Sequence, residues 1–363
     1  MTSSNTFNPD WASAPGETIA EVLRDRGLVM EDFARAARLS RDDALALIEG
    51  RLAITIGIAR RLQEVLGASV SFWMTRDRDY RQDIARLHSI DEAWLTELPL
   101  RDMVNFGWLT PAPSPADAMA ACLRFFAVPS VPAWRETYAG LQSEVAFRTS
   151  RSIDSHPGAV ATWLRQGQIE AEKITCGEWN PTGFRKSFEP IRRLTRLKDP
   201  RRFIPKLQQL CAPHGVAVVV VRAPTGCRAS GATWFRSPEK AVLMLSFRYL
   251  TDDHFWFSFF HEAGHLLLHS KRTLFRETNL ILEGMGDATT SEEKEANEFA
   301  AAALIPSAFD DELHSLGNNA FRVIRFAGKL GISPGIVVGQ LQHRAILRES
   351  QLNRLKRRFS WGD

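Results

Sequence analysis

His261-Glu262-Ala263-Gly264-His265 is the stretch around which this chain of 363 residues organises itself. Two histidines four positions apart lie on one helical face, about one turn from each other, so both imidazoles can reach a single ion. Glu262 stands beside the first of them, placed to act as general base toward a water at that ion. The flanks read as helix. Phe255-Trp256-Phe257-Ser258-Phe259-Phe260 before the motif and Leu266-Leu267-Leu268 after it describe a segment buried on nearly all sides. Polar and charged groups inside such a helix need a partner, and a metal is the simplest one. Thr251 or Asp252 is expected to cap the helix at its start.

A metal site needs a third protein ligand. Ser291-Glu292-Glu293-Lys294-Glu295-Ala296-Asn297-Glu298-Phe299-Ala300 reads as a second amphipathic helix, continuing through Ala301 to Ile305 and stopped by Pro306. A carboxylate from it would complete a His-His-Glu set and leave one position open. Glu295 is the candidate ligand, because Phe299 at i+4 shares its face and is expected to point inward; Glu292 is the reserve. Glu292, Glu293 and Glu298 read as a solvated helix start favoured by the macrodipole. A third-histidine pattern is excluded, since it requires Gly at 268 and His at 271, where Leu268 and Lys271 stand. Two His and one carboxylate favour zinc over manganese or iron. His269, four residues after His265, reads as a supporting or core-edge histidine, since a fourth ligand would close the site. His254, about two turns ahead of His261, reads as a packing residue.

Upstream, Val216 to Val221 is a valine-rich run bounded by Gly215 and by Ala223-Pro224-Thr225-Gly226, the pattern of a buried strand. Val242 to Ser246 gives a second strand after the turn Ser237-Pro238-Glu239-Lys240. The order is helix, small sheet, motif helix, second ligand helix. Residues 201–306 resemble the ImmA/IrrE metallo-endopeptidases, and nothing in the sequence departs from that catalytic pattern. The resemblance runs through Leu207-Gln208-Gln209-Leu210-Cys211, Gly215 to Val220, Gly231-Ala232, Ala241 to Ser246, Asp252 to Glu262, Glu295 to Ala300 and Leu304-Ile305-Pro306. It implies Zn2+ bound by His261, His265 and Glu295, Glu262 as base, and limited cleavage of a repressor or similar regulatory protein.

The N-terminus carries a different signal. Residues 17–26, 30–38, 40–49, 55–66 and 71–80 read as five short amphipathic helices. Phe33, Ala34 and Leu39 face a core, Ser40 caps the next helix, and Leu45 and Ile48 return to the core, which is helix-turn-helix spacing. The segment from about residue 14 to 90 resembles an XRE/Cro-type helix-turn-helix, and Val70-Ser71-Phe72-Trp73-Met74 resembles the HigA antitoxin variety. Ser40, Arg41, Arg51 and Arg60 are the candidate DNA contacts. Against this, the recognition helix opens on Asp42 and Asp43, which repel phosphate. Across residues 17–68 eight arginines meet nine acidic residues, a net charge of −1. That lacks the basic footprint of a DNA grip. Operator binding as a homodimer and a fold kept for docking a protein partner both remain open.

Between these modules, residues 91–200 read as mostly helical, with Ser114 capping a helix that opens on Pro115 and ends near Phe126. The tryptophans Trp94, Trp108, Trp134, Trp163 and Trp179 read as core. Positive charge concentrates from Arg185 to Lys206 and again at Arg354, Lys356, Arg357 and Arg358, on a chain whose net charge is only +4. A solvated helix face and a surface for an anionic partner are the two readings of these runs.

The expected fold class is α+β, mostly α. A five-helix, lambda-repressor-like helix-turn-helix domain (1–90) precedes a helical connecting region (91–200), a zincin-like metallopeptidase domain with a small sheet (201–345) and a basic C-terminal tail (346–363). Cys122, Cys176, Cys211 and Cys227 show no paired spacing, which suits a reducing cytoplasm. The opening Met1-Thr2-Ser3-Ser4-Asn5-Thr6 carries no apolar core of a signal peptide, and no apolar run reaches membrane-spanning length. The expected function is a cytoplasmic regulatory zinc peptidase acting on a repressor or toxin-antitoxin partner. The alternative is a DNA-binding regulator or antitoxin whose zinc domain senses a signal without proteolysis.

Overall fold

The computed structural model describes residues 12–138, 156–269, 281–282 and 291–361. The opening Met1 to Thr6, Lys271 and the last two residues of the expected tail lie outside the described residues. The chain divides into two compact units, Met1–Thr96 and Glu97–Asp363.

The first unit is helical: α1 (Pro15–Asp25), α2 (Met30–Ala36), α3 (Arg41–Ile48), α4 (Ile56–Leu66) and most of α5 (Val70–Glu97). The fifth helix runs well beyond the expected residue 80, because no Gly or Pro interrupts the sequence before Pro99. Ser40 Oγ accepts the amide of Asp43 and Thr55 Oγ1 that of Ile58, so α3 and α4 both start on side-chain caps. Ile19, Phe33, Ala34, Ala44, Leu47, Leu62 and Trp73 form the core, with Leu39 and Ile48 packed on its edge. Leu45 is exposed, contrary to expectation. With α3 starting at Arg41, the inward row is Ala44–Leu47–Ile48, which turns Leu45 outward.

In the second unit, α6 (Leu100–Asn105), α7 (Pro115–Phe126), α8 (Val131–Thr137) and α9 (Pro157–Glu172) precede α10 (Pro181–Lys186), α11 (Phe188–Leu194) and α12 (Pro200–Cys211). Ser114 caps α7 by accepting the Asp117 amide. A four-stranded sheet follows in the order β1-β3-β2-β4: β1 (Val216–Val220), β2 (Gly231–Ser237), β3 (Lys240–Leu245) and β4 (Ile281–Leu282). β1 runs parallel to β3, with Val216 opposite Ala241. β2 pairs antiparallel with β3, Gly231 opposite Leu245, and also with β4. β2 was not expected from the sequence, where Trp234-Phe235-Arg236 gives no clean alternation and Gly231 opens the strand.

The sheet is covered on both sides, which is why β1 is apolar throughout. On one face lies α9: Trp163 donates its indole N–H to the Val221 carbonyl at 2.9 Å, and Gly167 abuts Met244. On the other lies α13 (Asp252–Leu268), whose Phe255, Trp256, Phe259 and Phe260 share one core with Val216, Val218, Leu243, Phe203 and Leu207. The described residues between 97 and 200 thus belong to the same compact unit as the sheet. α14 (Ser291–Leu304), α15 (Asp310–Ser315), α16 (Ala320–Leu330) and α17 (Pro334–His343) complete it, with α14 and α17 both against α13.

The expected basic tail is a packed strap. Phe359 is buried against Phe203, Phe247 and Phe255, and its amide bonds the Leu250 carbonyl. Asp252, fully buried, accepts Ser333 Oγ at 2.5 Å and the Arg357 amide at 2.9 Å; burial raises its carboxyl above the usual range. Thr251 occupies the cap position of α13 without a side-chain cap bond. The strap's own hydrogen bonds replace the cap. No described helix is long and apolar enough to cross a membrane.

Candidate metal centre

The site is built where α13 crosses α14. The crossing is close because small residues face each other: a Cβ added to Gly264 would lie 3.4 Å from the Cα of Ala296 and 3.0 Å from Phe299. That fixes the rotation of α14. Its inward row is Ala296, Ala300 and Leu304, which brings Glu293 and Asn297 onto the same face, one turn apart.

On α13, His261, Glu262 and His265 are all buried. The two Nε2 atoms lie 3.0 Å apart. Glu293 Oε2 is 3.3 Å from His261 Nε2, and Glu293 Oε1 is 3.6 Å from His265 Nε2. Among the described residues, His261, His265 and Glu293 are the group of three whose ligand atoms converge, all within 4.8 Å of one another.

The carboxylate that the structure brings to the two imidazoles is Glu293, where the sequence pointed to Glu295. Glu295 is exposed and meets His269 instead, its Oε2 3.2 Å from His269 Nε2. The error was one of helical phase. Phe299 is only half buried, at the edge of the crossing beside Phe188 and under the Arg185 guanidinium. The small alanines, not the aromatic ring, mark the inward face. Read as a row of four, Glu293–Asn297–Ala300–Leu304 was visible in the sequence.

Both histidines are held from behind. His261 Nδ1 meets Asn297 Oδ1 at 2.9 Å, so with that acceptor its proton sits on Nδ1 and its Nε2 lone pair faces Glu293. His265 Nδ1 meets His269 Nδ1 at 3.1 Å, and His269 Nε2 meets Glu295 Oε2. A proton on each successive donor gives a chain His265 to His269 to Glu295 that leaves His265 Nε2 free of hydrogen. Burial, then the neighbouring His261, push the His265 imidazole down to about 3, so it is neutral near pH 7. Two neutral Nε2 acceptors and a carboxylate converging this closely repel one another unless a cation lies among them. The donor set therefore fits a metal such as zinc.

Glu262 is fully buried one position on, against the start of β2. A Cβ on Gly231 would stand 2.5 Å from Glu262 Oε1 and 2.7 Å from its Cγ, so the strand approaches the carboxylate as closely as only glycine permits. A cleft of about 330 Å³ opens on His261, Glu293 and Asn297, walled by Ser230, Tyr249, Phe257 and His343. A larger cleft, about 530 Å³, shares Tyr249, Asp253, His254, Gly339 and His343 with it and extends to Lys356 and Arg358 on the strap. His254 lines both clefts and stacks on Tyr249 at 4.2 Å, a position facing solvent rather than core.

Ser40 serves as a cap, Arg41 lies 3.5 Å from Glu31, and Arg51 pairs with Glu49. Asp42, Asp43 and Arg60 are exposed.

Comparison with known proteins agrees with both halves. The N-terminal region is similar to an uncharacterized HTH-type transcriptional regulator, YddM, of Escherichia coli (strain K12). The two are 33% identical over 60 residues, which is 16% of this chain and 64% of that relative's length. The chain thus spans less than two thirds of it. Residues 215–341, which hold the sheet and α13 through α17 but for its last two residues, match the model of the family Peptidase_M78, described as an IrrE N-terminal-like domain.

Proposed function

We propose that the chain is a regulatory zinc metallo-endopeptidase that cleaves a partner regulatory protein at limited sites, with its helix-turn-helix unit directing it to that partner or to an operator. The observation that carries this reading is the convergence of His261, His265 and Glu293 beside buried Glu262, at the floor of an open cleft. His261, His265 and Glu293 would hold the ion. When bound, it would supply Lewis-acid polarisation of the scissile carbonyl and acidify the attacking water. Glu262 takes the proton of that water and delivers it to the leaving amine. Asn297 and the His269–Glu295 pair hold the two imidazoles in the tautomer the ligands need. The two clefts share Tyr249 and His343, and a peptide substrate would lie along them.

The test is Glu262→Gln, which leaves the three ligands in place. Metal content should be retained, and cleavage of the partner, together with the cellular phenotype, should be lost. A phenotype that survives the change refutes the proteolytic reading. The second reading, a DNA-binding regulator or antitoxin that senses a signal without cleaving, is favoured by the helix-turn-helix unit and its similarity to a transcriptional regulator. It requires sequence-specific binding to the chain's own promoter above the non-specific level. A repressor or toxin-antitoxin component as partner, homodimerisation and a cytoplasmic location belong to the same proposal.

A further inference from the structure

From residue 181 to 211 the chain carries nine basic residues and two acidic ones, a local charge of +7 on a protein whose net charge is +4. The structure puts that charge outside. Arg193, Arg196, Lys198, Arg201, Arg202 and Lys206 are all exposed. The two acids pair within the cluster, Glu189 with Arg192 and Arg193 and Asp199, which caps α12, with Arg201, and the run keeps its excess of seven positive charges.

The strap extends the same face. Arg357 donates to the carbonyls of Thr195 at 2.6 Å and Leu197 at 3.3 Å, so it brackets Arg196 from both sides. Burial first, and Arg196 among the neighbouring charges, lower its affinity for its proton. Like charges are thus held together by the fold, and an anion laid across them relieves the repulsion.

We propose that this face, formed by α11, α12 and Arg357 of the strap, binds the phosphate backbone of duplex nucleic acid. Two features favour that partner over other polyanions. Six of the nine basic residues between 181 and 211 are arginines, whose planar fork matches phosphate. Among the described residues, none of the exposed large apolar side chains falls between residues 181 and 211, so the run lacks the apolar wedge of a membrane-surface site. The face also supplies the electrostatic grip that the helix-turn-helix unit, with its charge of −1 over residues 17–68, does not.

The experiment is fluorescence anisotropy of a random-sequence duplex about two helical turns long, titrated with the full chain between about 50 and 200 mM salt. Wild type is set beside Arg196→Glu/Lys198→Glu/Arg202→Glu and, as the rival location, Arg41→Glu/Arg51→Glu/Arg60→Glu. The proposal expects the first variant to lose roughly tenfold or more in affinity and to flatten the log–log salt slope by about 3, near 0.9 per contact removed. The glutamine version of the same three changes should show a smaller loss of the same sign, and it stands in should the reversal variant fail to match wild type in melting temperature. Binding within twofold of wild type (about 0.4 kcal/mol) in both patch variants overturns the proposal, as does loss confined to the helix-turn-helix variant. Phosphatidylserine vesicles or polyglutamate binding more tightly than the duplex overturns it too, in favour of a membrane or an acidic protein.

Discussion

His269 is not one of the three residues whose ligand atoms converge, yet its removal should weaken metal binding, and by an amount the geometry sets. Its Nδ1 lies 3.1 Å from His265 Nδ1 and its side chain is almost wholly buried. His269→Ala therefore leaves His265 free to rotate and to carry its proton on either nitrogen. Loss of such a support typically costs about 10- to 100-fold in metal affinity, or about 1.4 to 2.8 kcal/mol. Glu295 lies one step further out, and its side chain is 55% exposed, so solvent screens its share. Glu295→Gln should cost under about 1 kcal/mol, a few-fold in affinity. Because Glu295 acts only through His269, the double variant should bind metal no more weakly than His269→Ala alone. The assay is competition with a chromophoric chelator at fixed pH, read for wild type, both single variants and the double. Additive losses would refute the chain of contacts, and an unchanged affinity in His269→Ala would refute the supporting role altogether.

Other expectations follow from the same contacts. Gly231→Ala drives a methyl into the Glu262 carboxylate, and a displacement of about 1 Å should cost on the order of 100-fold in cleavage rate while metal content stays intact; equal activity would show that Glu262 has room to move. The depressed His265 works against the protein in acid. The unfolded imidazole takes up its proton below about 6.5, whereas the folded one resists until about 3, so the metal-free protein should lose stability as pH falls through that window. Melting curves at stepped pH for wild type and His265→Gln read this, and an identical slope in the two would remove His265 as the cause. Phe359→Ala should destabilise the second unit by about 3 to 5 kcal/mol, measured by denaturant unfolding; a change under about 0.5 kcal/mol would mean that the strap is no part of the core.

Much of this was legible before any coordinates. The aromatic run before His261 could only be a buried helix, and the valine run of β1 required cover on both faces. Ser40 and Ser114 announced their helices by cap chemistry alone. The failures have physical causes. Glu295 was preferred because a large aromatic was taken to mark the inward face of α14, whereas a close helix crossing selects small residues and pushes Phe299 to the rim. Leu45 was misplaced by the same kind of phase error in a helix too short to average it out. The strap looked like a solvated tail because its charges are contiguous in sequence, yet Phe359 and the Arg357 backbone anchor it to Asp252. Gly231 stood in the sequence only as part of the family resemblance, since what excludes a side chain there is a carboxylate thirty-one positions away.

The most direct test of the central claim is metal content by elemental mass spectrometry on the full chain purified without added zinc, comparing wild type, Glu293→Ala and Glu295→Ala. The account predicts about one zinc per chain in wild type and in Glu295→Ala, and loss of the ion in Glu293→Ala. Retention in Glu293→Ala with loss in Glu295→Ala, or no metal in wild type after zinc is offered, would contradict it.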